Sequence, residues 1–160
     1  MKEIEIKTTI GVFDSLNDLP TDIQSLMHQA IETRKNAYAP YSKFRVGAAI
    51  LLDNGKIVLG SNQENAAYPS GLCAERVAIF HAGAIYPNVK IIKLAITAAS
   101  DTNPTITPIP PCGACRQAIV EYESKQETPI EIYFMGEKGA IYKSNSISNL
   151  LPLSFDKSAL

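Results

Sequence analysis

The residues with the most chemistry to offer are three cysteines and one glutamate. Cys112 and Cys115 lie in "PCGACRQ", residues 111–117, and Cys73 lies in "SGLCAERVAIF", residues 70–80. The i, i+3 pair stands at an expected helix start, where Pro111 suits the first helical position or the residue before it. Both sulfurs then share one face at the positive end of the helix dipole, where thiolates are favoured. That is half of a zinc site. It is also the pattern of a thioredoxin-like redox pair, or of two buried structural thiols. Cys73 stands at a second expected helix start. Two helices side by side on one sheet face would bring all three sulfurs together. Structural zinc sites close with four protein ligands, whereas catalytic ones keep three and leave a position open. The only histidines are His28 and His81. His28 falls on the outer side of an amphipathic helix, and His81 lies roughly 12 Å along the helix from Cys73 at 1.5 Å per residue. Three ligands without a fourth favour an open zinc that holds water.

Glu75 shares a helical face with Ala78, Ile79 and Ala82. A carboxylate there costs several kcal/mol unless it is partnered. It is either a salt-bridge partner of an arginine such as Arg76 or a proton shuttle beside a metal-bound water. Zinc with three thiolates carries a net charge of −1, and a guanidinium from Arg76 would draw that charge back.

The elements that must position these groups follow from periodicity and breakers. Ile4 and Ile6 alternate with charges, a weak strand signal. Residues 21–38 read as a helix capped by Asp18 or Thr21, with an apolar stripe of Ile23, Leu26, Met27, Ala30 and Ile31, ended before Pro40. Residues 44–52 and 57–61 read as a hairpin about Asp53-Asn54-Gly55. Residues 73–84 read as a helix apolar nearly all round, hence buried on most sides. Residues 91–98 form a continuous apolar strand suited to mid-sheet. A proline-rich loop over 101–111 precedes a helix over 113–122. Strands over 130–135 and 140–143 and a short helix over 147–151 complete the order. This argues for a three-layer α/β/α domain on a mixed sheet, with five main strands.

The chain has 160 residues, 46% of them hydrophobic, and a net charge of −1, with a mean hydropathy of −0.01. It is expected to form one domain over residues 1–160. No basic stripe suggests a nucleic-acid partner. No apolar run approaches the roughly 20 residues of a membrane span. An odd number of cysteines with no export signal favours reduced thiols and a cytoplasmic location.

Four segments resemble, in order, the small homotetrameric cytidine deaminases: "AYAPYSKFRVGAAI" (37–50), "SNQENAAYPSGLCAER" (61–76), "PPCGACRQ" (110–117) and "LLPLSF" (150–155). The resemblance covers about three quarters of the chain. Cys73 stands where the H-x-E…P-C-x-x-C signature of zinc deaminases has histidine. The resemblance implies hydrolytic deamination of cytidine and 2′-deoxycytidine, with one Zn2+ per chain on Cys73, Cys112 and Cys115. Glu75 would take a proton from the zinc-bound water, pass it to ring nitrogen 3 and help the amine leave. The Ala74 backbone would hold the amino or carbonyl end of the base, and Phe44 would stack on the ring. Asn62 and Glu64 would bond the ribose. Tyr41, Ala66, Tyr68 and Phe155 would line a site from neighbouring subunits of a homotetramer.

Residues 1–20 are extra relative to that family, whose core maps to 21–155, and "PPC" replaces the commoner Ser-Pro-Cys. Other readings remain distinct from this one. A nucleic-acid editing deaminase sits poorly with the net charge and with a Glu64 carboxylate near the sugar. A blasticidin-type deaminase sits poorly with Asn62 and Glu64. A structural zinc module lacks a fourth ligand.

Overall fold

The computed structural model describes residues 1–160. Strands β1 (Gly11–Phe13), β2 (Phe44–Leu52), β3 (Ile57–Ser61), β4 (Ile91–Ser100), β5 (Glu131–Met135) and β6 (Ile141–Ser144) form one sheet in the order β1-β6-β5-β4-β2-β3. Only β4 and β5 pair in parallel, and helix α3 (Gly113–Gln126) makes the crossover between them. Helix α1 (Thr21–Arg34) packs on one face, where Ile23, Leu26, Met27 and Ala30 meet Ala49, Ala95 and Met135. Helix α2 (Ala74–Ile85) and α3 pack on the other, against Ala48, Ile50, Ile96 and Ile132. Neighbouring strand residues thus feed opposite cores, as the two-residue strand period requires. The α/β/α layering matches the sequence reading.

The sheet has six strands rather than five. The sixth is Gly11–Phe13, which pairs with β6 through Val12 and Tyr142. The alternating Ile4 and Ile6 form no strand and remain exposed. The free edge of β6 is taken by residues 11–13, whose Phe13 reaches the α1-side core. Helix α1 stops at Arg34, because Tyr38 leaves it to bridge Gln63. Neither Asp18 nor Thr21 caps that helix: Pro20 precedes it, and Asp18 instead accepts from the Ser15 backbone and hydroxyl. Helix α3 runs four residues beyond Tyr122, to Gln126, before Glu127 turns left-handed at φ 54°. The expected short helix at 147–151 is a single 3-10 turn over Ile147–Asn149. Helix α2 buries one face only, since Phe80 and Ile85 are about half exposed.

One close approach decides where the chemistry sits. A Cβ on Gly60 would stand 2.5 Å from the Ala74 carbonyl oxygen and 2.6 Å from the Ala78 nitrogen. Only glycine lets the first turns of α2 press against β3 in this way. That contact seats Cys73 and Glu75 beside the sheet.

Candidate active site

Cys73 is the N-cap of α2 and Cys112 the N-cap of α3. Both have extended backbones, φ −70° and −66°, and neither uses its side chain as a cap. Their sulfurs are therefore free to face each other, 3.8 Å apart. Cys115, one turn into α3 and buried, brings its sulfur within 3.4 Å of Cys112. All three sulfurs lie within 4.8 Å of one another. Zn–S bonds of about 2.3 Å in a tetrahedron place sulfurs about 3.8 Å apart, so the cluster has the size zinc requires. All three thiols are free.

The electrostatics suit a cation. Cys73 is pushed down to about 5 by hydrogen bonding from Cys115 and from Arg76, against the effect of burial. Cys115 moves the other way through its hydrogen bond to Cys73 and its burial. Arg76 Nη2 donates to Cys73 Sγ at 3.9 Å, the long end for a bond to sulfur. Its Nε is buried with no acceptor, an unpaired donor of the kind seldom left in a folded chain. Glu75 is 5% exposed and joins none of the molecule's ion pairs. Burial pushes it up to about 7, and the Cys73 charge adds to this. The salt-bridge reading of Glu75 fails, since Arg76 turns to sulfur instead.

These groups lie at one end of a cavity of about 680 Å³ lined by Phe44, Asn62, Glu64, Glu75, Cys73 and Cys112, among others. Ala74 opens α2, so its backbone N–H has no partner inside the helix. The side chains expected to bind sugar also hold backbone. Asn62 Oδ1 accepts from the Val46 N–H at 2.7 Å, and its Nδ2 donates to the Phe44 carbonyl at 2.9 Å. Glu64 accepts from the Tyr41 N–H at 2.9 Å, the Ser42 N–H at 3.3 Å and the Ser42 hydroxyl. The Ser42 hydroxyl and those backbone donors hold Glu64 below its usual range.

Residues 20–128 match the family model for the cytidine and deoxycytidylate deaminase zinc-binding region. A cytidine deaminase of Halalkalibacterium halodurans is 40% identical over 134 residues, covering 84% of this chain and 94% of that protein. One from Sporosarcina psychrophila is 40% identical over 139 residues, covering 87% and 95%. A crystal structure of cytidine deaminase from Burkholderia pseudomallei superposes with a TM-score of 0.70 at 35% identity, covering 82% of this chain and 97% of that one. The chain belongs to the cytidine and deoxycytidylate deaminase family.

The three-cysteine cluster could hold a metal ion, and it lies within the residues that match the zinc-binding region of that family. Other sequence-derived site residues sit further out. Tyr41 and Tyr68 form an edge-to-face pair, centroids 6.2 Å apart, on the rim of this chain's own cavity. Ala66 is exposed in the loop that leads to Tyr68. Phe155 is 62% exposed and outside the cavity. Its carbonyl accepts from Gln117 Nε2 at 2.7 Å, while Arg116 donates to the carbonyls of Pro111 at 2.8 Å and Leu150 at 2.6 Å. The two residues after Cys115 thus tie the C-terminal tail to the metal-binding helix. Both lie in the "PCGACRQ" motif, whose spacing assigns them no role. Ile96, Ile109 and Pro110 also wall the cavity, a role that the motifs do not assign them. The position of Ile109 and Pro110 just before Cys112 was the available signal.

Proposed function

We propose that this chain catalyses the hydrolytic deamination of cytidine and 2′-deoxycytidine to uridine and 2′-deoxyuridine with release of ammonia. The observation that carries this reading is the buried carboxylate of Glu75, without an ion-pair partner, at the end of a nucleoside-sized cavity beside three converging sulfurs. Cys73, Cys112 and Cys115 would hold Zn2+, and Arg76 would donate to Cys73 and temper the charge of the thiolates. When bound, zinc supplies Lewis acidity that brings the pKa of water from 15.7 to about 7.

The remaining work belongs to the chain. Glu75 takes a proton from the attacking water and delivers it to N3 of the pyrimidine as oxygen bonds to C4. It then takes the remaining proton from the C4 hydroxyl and passes it to the exocyclic nitrogen, and the C4–N bond breaks with its electron pair leaving on ammonia as the C4 oxygen becomes the carbonyl of uridine. Phe44 stacks on the base, and the Ala74 backbone meets the substituent at C4. Asn62 keeps one amide N–H, and Glu64 keeps lone-pair capacity, for ribose hydroxyls. An ionised Glu64 beside the sugar repels a polymer's phosphates, which supports a free nucleoside over nucleic acid. The family-like core spans 21–155, with residues 1–20 as an addition.

Exposure of Tyr41, Tyr68 and Phe155, all at least half exposed, supports a homotetramer of 17.4 kDa chains. In it these side chains and Ala66 are covered by, or cover, a neighbour's site. No helix of the chain is long and apolar enough to cross a membrane, in keeping with a cytoplasmic enzyme.

The test combines metal analysis with ultraviolet loss on mixing with cytidine, cytosine or a cytosine-containing oligonucleotide. About one zinc per chain and turnover of cytidine alone are expected. Equal activity on cytosine would refute the sugar roles of Asn62 and Glu64. Unchanged zinc affinity in Cys73→Ala would refute the ligand set.

A further inference from the structure

Phe44 opens β2 immediately after a residue in an unusual conformation. Lys43 has φ 56°, a region that side-chain-bearing residues enter seldom. Phe44's own N–H donates to Ser42 Oγ at 3.0 Å and its carbonyl accepts from Asn62 Nδ2 at 2.9 Å, while the bonds of the two residues flanking it lead to one residue across the sheet, Asp101. Its backbone N–H donates to the Lys43 carbonyl at 2.7 Å, one step past the Phe44–Ser100 pair of the β2–β4 ladder. Its carboxylate accepts from Arg45 Nε at 2.9 and 3.0 Å. Arg45 Nη1 also donates to the Ala37 carbonyl at 2.9 Å, anchoring the segment that leads into the turn. Both neighbours of Phe44 are therefore tied to Asp101, one through its main chain and one through its side chain. Asp101 also begins the loop whose Ile109 and Pro110 wall the cavity.

We infer that the Arg45–Asp101 pair is a positioning bracket that fixes Phe44 against the nucleoside base. This rests on the proposed reading of Phe44 as the base-stacking platform. Neither Arg45 nor Asp101 lines the cavity, so they act through Phe44 and not on the substrate. Their side chains are 35% and 37% exposed. A pair this exposed adds little to global stability, which leaves the geometry of Phe44 as its contribution. Substrate-positioning groups set binding and orientation, and a 1 Å misplacement costs about 10²-fold.

The experiment measures steady-state kinetics on cytidine, zinc content and thermal midpoint for the parent, Asp101→Ala, Arg45→Ala, the double variant, Arg45→Lys and Phe44→Ala. Asp101→Ala and Arg45→Ala should each raise KM about tenfold, below the roughly 10²-fold of a full 1 Å misplacement. Both should keep kcat within about twofold and leave zinc and midpoint unchanged. The double variant should be no worse than either single one, because the two side chains act as one device. Arg45→Lys, which keeps a charged donor, should recover part of the loss. Cytidine is uncharged, so a rise of KM with ionic strength in the parent, absent in Asp101→Ala, would report screening of this pair. If Asp101→Ala keeps the parental KM while Phe44→Ala raises it, the bracket is refuted and the base platform stands. If Phe44→Ala also leaves KM unchanged, the platform reading fails and the bracket with it. A lower midpoint and lower kcat at constant KM would assign the pair to folding instead.

Discussion

Two carboxylates, one at the start of a sheet strand and one in the first turn of a helix packed on that sheet, are moved in opposite directions by their environments. Glu131, at the start of β5, is lifted by burial, but the bonds from Lys143 at 2.6 Å and Tyr133 at 3.0 Å prevail and hold it below its usual range. Lys143 also lies 5.5 Å from the Tyr133 ring centre. Glu75, in the first turn of α2, is buried more deeply, joins no ion pair and is pushed up to about 7. The fold can neutralise a carboxylate where it needs one for structure. At the site it leaves a carboxylate free to exchange a proton near neutral pH, which suits general acid–base work.

The contrast depends on α2 sitting hard against β3, and the largest structural effect should come from spoiling that seat. Gly60→Ala places a methyl group within 2.6 Å of two backbone atoms of α2. Overpacking of this kind costs typically 1–3 kcal/mol. The helix start should shift, weakening zinc binding and activity together, as read by thermal melting and metal titration. Wild-type zinc affinity in that variant would show that the site tolerates a looser α2.

A smaller change is expected at Phe155, which lies outside this chain's own cavity and is proposed to cover a neighbour's site. Phe155→Ala should raise KM for cytidine several-fold while zinc content stays intact, because the loss of a stacked aromatic is worth about 0.5–1.5 kcal/mol beyond its area. Light scattering of the parent tests the shared-site reading beside it. A fully active monomer would return Phe155 to the role of a tail anchor.

The smallest effect belongs to the satisfied carboxylate. Glu131→Gln should cost about 1 kcal/mol at neutral pH, discounted for partial exposure of the pair. Because the folded-state value of Glu131 lies below its unfolded value near 4.5, its contribution is present above that pH and fades as pH falls below it. Denaturant melts of parent and variant should therefore converge in acid. A gap that instead widened below pH 4.5 would reverse the assigned sign.

What the sequence made legible was local. Residues 44–52 read correctly as a strand because an apolar run ends at an Asn-Gly turn, where Gly55 takes φ 77°. Cys73 and Cys112 read correctly as helix starts, Cys73 because an apolar helical run follows it and Cys112 because Pro111 precedes it. What stayed hidden depends on distant partners. The β1 strand is three residues whose only reason to extend is the open edge of β6. The backbone-holding bonds of Asn62 and Glu64 reach back across 16 to 23 residues, so no spacing rule announces them. The tether from Arg116 and Gln117 to the tail spans 34 and 38 residues. Phe80 and Ile85 are about half exposed, so the all-round apolar pattern of α2 does not become burial on every side.

The central claim is that Glu75 is left free to move protons. Glu75→Gln is nearly isosteric and carries no charge to desolvate, so it should fold, keep about one zinc per chain and melt no lower than the parent. Its kcat on cytidine should fall by about 10⁴-fold or more, the top of the range for one general acid–base group, since this one serves several transfers. Measured in one sample by metal analysis and ultraviolet loss, full zinc with that collapse of turnover is the predicted result. Turnover within tenfold of the parent, at full zinc, would contradict it and reduce Glu75 to a structural neighbour of the cysteines.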